Sequence, residues 1–368
     1  MVLAPAAESL PTLMVVPTGI GCAIGGYAGD ALPAARLLAA ASGCLITHPN
    51  VLNGAALYWS DPRLLYVEGS ALDRFAAGEL ALRPVRRQRI GLLLDAAIEP
   101  ELRLRQLQVA DGCRATLGLE IGPVTSTDAP LGVSLRLGPS GASWGGLERP
   151  DALLRAGESL RRAGATAIAV VARFPDDPGS EALAAYRSGA GVDALAGAEA
   201  VISHLLTRHL GIPCAHAPAL APLDLNPALD PRAAGEELGT TFLPCVLVGL
   251  SRAPDLVAPA AAGAAPAPNR PGSTAAGALI TAVQLGAVVA PAGALGGEAV
   301  LACVERGVPL IAVSNPCLLE VSASALGLAE RGATVLPAAS YAEAAGWITA
   351  LREGISPAAL QRPLAPLT

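Results

Sequence analysis

Short apolar runs and polar loops alternate along the chain, and its first part shows the pattern most clearly. Residues 13–16 form an apolar run of strand length, and the Ala- and Leu-rich segment 31–41 predicts a helix that begins after Asp30. A second apolar run at 44–47 predicts another strand. This order of strand, loop, helix and strand is typical of two parallel strands joined by a crossover helix.

Both strands of this unit end in loops with the chemistry of a binding site. The first loop contains several glycines, and the second begins with His48 and contains Asn50 and Asn53. Parallel α/β sheets bind ligands beyond the carboxyl ends of their strands, so we expect the two loops to line one pocket. The glycine loop would offer N–H groups to an anion, and His48 would act as an acid or base. The alternative is that His48 only ties the Pro49 turn to the backbone.

Strand-length runs separated by predicted helices continue to the end of the chain, at 64–67, 89–94, 121–125, 165–171, 287–290 and 309–313. Such alternation predicts an α/β fold: a mostly parallel, Rossmann-like sheet with helices on both faces, in one piece or split into two lobes. An alternating run at 132–137 is a further strand candidate. The small residues at 140–146, around Trp144, predict a loop.

The chain is expected to divide at residues 257–272, a low-complexity stretch rich in Ala and Pro that predicts a flexible linker or loop. An α/β domain of residues 1–256 would precede it, and a C-terminal α/β segment of residues 273–368 would follow. The uncharged segment 273–297 is long enough for a membrane span. Its Ala- and Gly-rich composition and Pro291 predict buried α/β core instead.

Composition excludes several classes of function. The formal net charge is −6, and no basic run exceeds the cluster of Arg86, Arg87 and Arg89, so nucleic acid is not an expected partner. All 25 basic residues are arginine. Pyridoxal-phosphate enzymes and Walker-type ATP sites both need a lysine, and both are therefore excluded. An anionic small-molecule ligand would be held by arginine, backbone N–H groups or a metal, and a divalent metal site stays open.

Seven cysteines are scattered singly, at 22, 44, 113, 214, 245, 303 and 317, without a C-x-x-C pair. The N-terminal residues have neither the basic start nor the long apolar core of a secretory signal. We therefore expect reduced thiols and a cytoplasmic protein without a membrane partner. The oligomeric state stays open, with a homo-oligomer among the alternatives.

Polar residues gather where predicted strands end, which packing alone does not require. The candidate catalytic residues are His48, Asp95 and Asp128. The candidate ligand-binding residues are Gly19, Gly21, Gly25, Gly26, Asn50, Asn53, Ser140, Ser143, Arg173, His216, Arg252 and Gly296. Among them, Arg173 or Arg252 would hold a carboxylate or phosphate group.

The two glycine loops allow more specific alternatives. The first approximates a dinucleotide fingerprint, but three residues separate its second and third glycines, and His48 stands where an acidic residue is expected. The second, at residues 291–297, resembles the donor-binding turn of two-domain nucleotide-sugar glycosyltransferases. In those enzymes a strand, a small-residue loop and a helix hold a diphosphate.

Long stretches of the chain resemble a family of uncharacterised proteins from cyanobacteria and plastid-bearing organisms. They include PTGIGCAIGGYAGDALPAARLLA, LITHPNVLNGAALYW, LDAAIEPELRLR, SGASWG, VVARFPDD and IPCAHAPALAP. The likeness covers nearly the whole chain apart from residues 257–272, and it implies a soluble cytosolic or stromal protein of unknown function. Members of that family have an acidic residue, Asn and Lys after the strand at 309–313. This chain has Ser314, Asn315 and Pro316 there, so details of the ligand could differ.

Three functions from different classes follow from these observations. The first is an enzyme acting on a small metabolite that carries a phosphate or carboxylate group. The second is a nucleotide or nucleotide-sugar transferase that uses the turn containing Gly296. The third is a non-catalytic ligand-binding or assembly protein. Turnover would favour the first two, and a tightly bound ligand without turnover would favour the third.

Overall fold

The computed structural model describes residues 9–54, 61–177, 179–237, 242–258, 274–275, 278–364 and 366. The first elements are β1 (Thr12–Met14), α1 (Leu32–Ser42), β2 (Leu45–Thr47), α2 (Pro49–Leu52), β3 (Leu64–Tyr66), α3 (Gly69–Ala76), β4 (Ala81–Arg83), β5 (Val85–Arg87), β6 (Ile90–Leu94) and α4 (Pro100–Leu117). Next come β7 (Ile121–Ser126), β8 (Val133–Leu137), β9 (Ser143–Leu147), α5 (Pro150–Arg162), β10 (Ala167–Arg173), α6 (Glu181–Arg187), α7 (Ala196–Leu210), β11 (Cys214–Ala219) and α8 (Pro231–Glu237). The last are α9 (Leu243–Ser251), β12 (Asp255–Val257), β13 (Thr274–Ala275), β14 (Ala287–Pro291), α10 (Glu298–Glu305), β15 (Leu310–Val313), β16 (Val335–Ala338) and α11 (Tyr341–Arg352), with short 3-10 helices at Ala282–Gln284 and Pro357–Leu360.

The parallel strands form two sheets. The first has six strands in the order β16-β15-β14-β1-β2-β3, and the second has four in the order β11-β10-β6-β7. Three antiparallel pairs accompany them: β12 with β4, β13 with β5, and β8 with β9. The predicted α/β fold is confirmed, with its parallel strands divided between two sheets. We call the six-stranded sheet with its helices the first lobe, and the four-stranded sheet with its helices the second lobe.

Alternate side chains of each strand enter different hydrophobic clusters, which places helices on both faces of both sheets. Leu13 packs in the cluster that contains α3 and α10, and Met14 packs in the one that contains α1 and α11. In the second sheet, Leu93 packs with α5 and α7, whereas Leu92 packs with α4 and α9. Met14 and Leu92 belong to the same cluster, so the two lobes share one continuous core.

The second sheet is inserted between β3 and β14 of the first. Residues 12–66 supply β1 to β3, and residues 287–338 supply β14 to β16, so the predicted segments 1–256 and 273–368 contribute strands to one sheet. Val257 pairs with Ala81 of β4 and therefore belongs to the fold rather than to the predicted linker. Residues 259–273 lie outside the described residues.

The uncharged segment after the predicted linker contains β14, whose five residues are buried between β1 and β15. No helix in the described part of the chain combines the length and the apolar character that crossing a membrane requires.

The prediction of a loop at 140–146 is wrong for its second half, because Ser143 begins β9 and pairs with Leu137 of β8. Gly145 lets this hairpin pack closely on α7. A Cβ at that position would lie 2.3 Å from the Ser134 carbonyl oxygen and 2.6 Å from the Ala198 Cβ. The glycine that suggested a loop therefore permits a close approach of strand and helix.

Candidate functional site

The first glycine loop, residues 17–30, connects β1 to α1 at the carboxyl edge of the first sheet. Gly19, Gly21 and Gly25 have φ angles of +74°, +61° and +92°, which other residues rarely adopt. A Cβ at Gly25 would lie 2.4 Å from the Val16 Cγ1, and Gly26 is equally crowded by the backbone of its own loop. The loop is folded back on itself so tightly that these positions require glycine.

The first glycine loop contains backbone donors without an acceptor. Within the described residues, the N–H groups of Gly19, Gly21 and Cys22 donate to no other group, although Gly19 and Cys22 are buried. Buried N–H groups are nearly always paired in folded proteins, so these donors need a partner such as a ligand or a water molecule. Neighbouring free N–H groups in a turn form a concavity that suits an anion.

His48 ends β2 and is buried, with 8% of its surface exposed. Its Nε2 accepts a hydrogen bond of 3.1 Å from the N–H of Val16, just before the first glycine loop. Burial lowers the pKa of His48 to about 4, against a smaller opposing effect of this hydrogen bond. The ring is therefore neutral near pH 7 and carries its proton on Nδ1. The contact ties two strand ends together, and an acid–base role of His48 stays a prediction.

Asn50 connects the two loops directly. Its side-chain Nδ2 donates to the Gly25 carbonyl oxygen at 3.2 Å, and its backbone carbonyl oxygen accepts the Gly29 N–H at 2.8 Å. Asn53 faces away from these contacts and accepts a hydrogen bond of 2.9 Å from the Tyr66 hydroxyl. The two loops are thus in contact, whereas a pocket lined by both stays a prediction.

The β8–β9 hairpin of the second lobe covers one side of the first glycine loop. The Ser143 N–H donates to the Gly19 carbonyl oxygen at 2.9 Å. The Ser143 hydroxyl donates to the Ala194 carbonyl oxygen at 2.9 Å and accepts the Gly197 N–H at 3.1 Å. Ser140 lies at the exposed turn of the hairpin. Of these two serines, only Ser143 touches the loop.

Helix α8 and the end of α6 close over another part of the loop. Tyr27 stacks on Tyr186 with ring centroids 4.2 Å apart, and its hydroxyl donates to the Tyr186 carbonyl oxygen at 2.7 Å. Glu236 accepts hydrogen bonds from the Ala28 N–H and from the Tyr186 hydroxyl. The Arg232 guanidinium lies 4.5 Å from the centre of the Tyr27 ring. The loop is therefore held between the two lobes.

Three carboxyl groups around the loop titrate close to neutral pH. Burial raises the pKa of Asp30 to about 6, that of Asp193 to about 7 and that of Glu236 to about 8. The charge of Glu199 adds to the shift of Asp193, and the charge of Asp193 adds to that of Glu236. Asp30 accepts the Gly25 N–H through Oδ1 at 2.6 Å, while its buried Oδ2 has no partner within the described residues. Strongly shifted pKa values of this kind are enriched at functional sites.

Asp193 lies where the second lobe touches the glycine loop. A Cβ at Gly21 would lie 3.0 Å from the Val192 Cγ2, and one at Gly19 would lie 3.3 Å from the Ala196 Cβ. Residues 192–196 therefore pack directly on Gly19 and Gly21, whose N–H groups have no acceptor within the described residues.

His216 lies on β11, beside the carboxyl groups rather than in the loop. Its Nδ1 contacts the Ser203 hydroxyl, and its Nε2 lies 3.5 Å from Glu199 Oε2. Its charge lowers the pKa of Asp193, against the larger effects of burial and Glu199. Because Ser203 is buried, we read this group as a support for Glu199 and Asp193 rather than as a nucleophile.

Other predicted residues lie at the carboxyl edge of the second sheet and bind to one another. Asp95 accepts three backbone N–H groups: those of Ala97 at 3.0 Å and Leu131 at 3.1 Å through Oδ1, and that of Arg173 at 3.1 Å through Oδ2. The Arg173 guanidinium forms a two-pronged ion pair with Glu99 at 2.9 Å and also contacts Asp176. The carboxylate of Asp95 and the fork of Arg173 thus have internal partners.

Asp128 and Arg252 lie away from the first glycine loop. Asp128 forms an exposed ion pair with Arg155, with a shortest distance of 2.7 Å, and this pair lowers the pKa of Asp128. Arg252 ends α9 and is exposed. No observation joins either residue to the loop within the described residues.

The second glycine turn, residues 291–297, packs against the segment after β15. Leu295 N–H donates to the Val321 carbonyl oxygen at 2.9 Å, and a Cβ at Gly296 would lie 3.0 Å from the Val321 Cγ1. The following helix, α10, donates the N–H of Ala299 to Asp73 Oδ1 at 3.0 Å. The carboxyl group of Asp73 thus accepts an N–H at the start of the helix, where a diphosphate would bind.

Sequence reasoning missed the groups that α8 and segment 192–196 bring to the loop. Glu236 and Asp193 are distant from Gly19 along the chain, and their local sequences carry no recognisable motif, so only the fold reveals their position. In the described part of the chain, no group of three or more His, Cys, Asp or Glu side chains is arranged to hold a metal ion.

Comparison with known proteins gives a family but no activity. A protein of Synechococcus sp. is 54% identical over 354 residues, which cover 96% of this chain and 94% of that protein, and it is named an uncharacterized lipoprotein. No solved structure matches the chain. The expected cytoplasmic location is contradicted by this relative, because a lipoprotein carries a membrane anchor.

The resemblance to uncharacterised cyanobacterial proteins is confirmed at the level of a family. The model of the family described as "Protein of unknown function (DUF3326)" matches residues 11–361, from β1 to the end of the last 3-10 helix. Both glycine loops and both lobes lie within the match, and the chain therefore belongs to this family.

Proposed function

We propose that the protein is an enzyme that binds a small metabolite by a phosphate or carboxylate group at the first glycine loop. The observation that carries this proposal is the set of N–H groups of Gly19, Gly21 and Cys22, which have no acceptor within the described residues. An anion placed against them would receive several hydrogen bonds without any arginine or lysine side chain.

Asp193 and Glu236 are the proposed acid–base groups. With pKa values of about 7 and about 8, both are partly protonated near neutral pH. A protonated carboxyl group can lie beside an anionic ligand without repelling it, and it can donate its proton. His48, whose pKa is about 4, has no imidazolium proton to give at neutral pH, so we assign it the role of holding Val16.

The other functions have less support. A nucleotide-sugar transferase would bind a diphosphate at the second glycine turn, but Asp73 already accepts the Ala299 N–H there. A binding protein without catalysis would use the same anion contacts as an enzyme. The raised pKa values of Asp193 and Glu236 favour the enzyme, because simple binding of an anion does not need them.

Binding is tested by thermal unfolding in the presence of inorganic phosphate, pyrophosphate or citrate, with sodium chloride at equal ionic strength as the salt control. A ligand that binds only the folded state raises Tm. We expect at least one of the three anions to raise the Tm of the wild type and of Gly118→Ala, but not of Gly21→Ala. Gly118 is the matched control, since its φ of +67° resembles the +61° of Gly21 while nothing lies within 4 Å of its Cβ position.

An equal rise in Gly21→Ala, or no rise with any of the three anions, would remove the support for this site. Turnover is tested separately by incubating the protein with a filtered small-molecule extract of cyanobacterial cells and following the mixture by mass spectrometry. The enzyme proposal expects a change that Glu236→Gln abolishes. An unchanged mixture, together with anion binding, would leave the non-catalytic alternative.

A further inference from the structure

We propose that Cys22 and Cys317 are a thiol modification site: a small-molecule disulfide oxidises them to an internal disulfide that ties the first glycine loop to the segment after β15. This inference does not depend on anion binding. Cys22 lies inside the first glycine loop, after β1, and Cys317 follows β15 of the same sheet. One disulfide would therefore join the N-terminal and C-terminal parts of the chain.

Backbone hydrogen bonds on both sides bring the two cysteines opposite each other. The Ala23 N–H donates to the Pro316 carbonyl oxygen at 2.8 Å, and the Leu318 N–H donates to the Ile20 carbonyl oxygen at 2.9 Å. The two hydrogen bonds flank Cys22 and Cys317 as they would flank a non-hydrogen-bonded residue pair in two antiparallel strands. The one difference is that the bond to Ile20 is shifted by one residue. In such pairs the Cα atoms are about 4.5 Å apart, which falls within the range that a disulfide needs, roughly 4.4–6.8 Å.

The side chain of Asn315 adds hydrogen bonds at the next residue pair of the two segments. Asn315 accepts the Ile24 N–H through Oδ1 at 2.9 Å and donates through Nδ2 to the Ile24 carbonyl oxygen at 2.8 Å. Asn315 is itself buried and also donates to the Tyr341 hydroxyl at 3.1 Å. Three hydrogen bonds on one side of the pair and one on the other hold the two segments in register, so we expect the disulfide to require little movement of the backbone.

The two thiols influence each other. The charge of Cys317 and a hydrogen bond with its side chain add to the effect of burial in raising the pKa of Cys22. Both cysteines lie within the described residues, and neither is in a disulfide.

The chemistry assigns different roles to the two cysteines. Cys317 is partly exposed, whereas Cys22 has 2% of its surface exposed, and burial raises the pKa of Cys22 to about 12. The Cys317 thiolate attacks one sulfur of glutathione disulfide and releases the first glutathione. Cys22 then loses its proton and attacks the Cys317 sulfur, which releases the second glutathione. In total two thiols are oxidised, and one glutathione disulfide is reduced to two glutathione molecules.

The test uses the full chain, reduced and then incubated with glutathione disulfide. We expect the intact mass to fall by two hydrogens, and an alkylating reagent added after unfolding to label five of the seven cysteines, seven minus the bridged two. Because the chain has no lysine, trypsin releases Cys22 in peptide 1–36 and Cys317 in peptide 307–331, each with a single cysteine. The two peptides should appear joined, and dithiothreitol should separate them.

Three variants complete the test. Cys317→Ser should lose the mass decrease and the joined peptides, whereas Cys44→Ser, the matched control, should keep both. Cys22→Ser should stop at the mixed disulfide and carry one glutathione on Cys317. Seven labelled cysteines after prolonged incubation would overturn the proposal. The same two-hydrogen loss in Cys317→Ser would also overturn it, because another pair would then be responsible.

Discussion

The two lobes present polar residues at their strand ends in opposite ways. At the edge of the second sheet, Asp95 accepts three backbone N–H groups and Arg173 pairs with Glu99, so donors and acceptors match within the protein. At the edge of the first sheet, the glycine loop keeps the N–H groups of Gly19 and Gly21 without an acceptor in the described residues. The same sequence pattern thus gives internally paired groups in one lobe and, in the other, N–H groups without an acceptor among the described residues, where we propose a binding site.

The two edges differ in how the backbone N–H groups of their loops are paired. The loop after β6 has no glycine-rich turn, and its Ala97 N–H donates to the buried Asp95 together with the N–H groups of Leu131 and Arg173 from neighbouring segments. The loop after β1 uses positive φ angles at Gly19 and Gly21 to turn its N–H groups away from the chain. A polar residue at a strand end therefore indicates a binding site only where hydrogen-bonding groups around it lack a partner within the protein.

The largest expected effect concerns the second lobe. Asp95→Ala removes the acceptor of three backbone N–H groups, two of them on the opposing segments at Leu131 and Arg173. Each buried donor left without a partner costs on the order of 1–3 kcal/mol, so we expect a loss of about 3 kcal/mol or more in the free energy of unfolding. Urea denaturation measures it. A loss below about 1 kcal/mol would contradict the structural role of this edge.

The next effect concerns His48, which supports the start of the glycine loop. His48→Ala leaves the buried Val16 N–H without its acceptor and should lower the free energy of unfolding by about 2 kcal/mol. His209→Ala is the control, because His209 is exposed and pairs with Glu158 on the surface. Full stability of His48→Ala together with complete loss of anion binding would instead support a direct role of His48 in the site.

The pKa of His48 adds a pH dependence with a defined sign. Its folded-state pKa of about 4 lies below the ordinary value of 6.5, so below pH 6.5 the unfolded chain binds a proton that the folded protein does not. The contribution of His48 is therefore fully present above pH 6.5 and is lost as the pH falls towards 4. Tm measured over this range should fall more steeply in the wild type than in His48→Gln.

A pH effect of opposite sign is expected from Glu236. Its folded-state pKa of about 8 lies above the ordinary value of 4.5, because burial disfavours its charged form. Between these values the unfolded chain releases a proton that the folded protein keeps, so stability falls as the pH rises from 4.5 to 8. Glu236→Gln should flatten this fall in Tm. Equal slopes in the two proteins would mean that Glu236 is ionised in the folded state.

The smallest expected effect is at the exposed end of the second sheet. Asp128→Asn removes an ion pair with Arg155 that lies in solvent, and such pairs contribute little to stability. We expect a Tm within about one degree of the wild type and unchanged anion binding. A clear loss of binding would place Asp128 in the site and would weaken the contrast between the lobes.

Local patterns predicted the elements around the site well. The runs at 13–16, 31–41 and 44–47 correspond to β1, α1 and β2, and the contact between the glycine loop and Asn50 follows from that order. The run at 132–137 corresponds to β8, whereas β9 was missed because Gly145 is typical of a loop until the close approach of α7 is known.

The candidate site itself could be predicted only in part. Gly19 and Gly21 were identified because glycine at a strand end is a local signal. Asp193 and Glu236 reach the loop only through the packing of the second lobe on the first, and their raised pKa values arise from that burial. Arg173 was expected to hold a ligand, yet its partner Glu99 follows β6, a strand that pairs with β10 only in the fold.

We propose that the first glycine loop binds an anion through the N–H groups of Gly19, Gly21 and Cys22, which have no acceptor within the described residues. The most direct measurement is a titration of isotope-labelled protein with inorganic phosphate, followed by the amide signals in two-dimensional NMR spectra. We predict saturable shifts at Gly19, Gly21 and Cys22, and no comparable shift at Gly118, when sodium chloride keeps the ionic strength constant. Unchanged signals of these three amides at high phosphate concentration, or shifts only at the exposed arginines, would contradict the account.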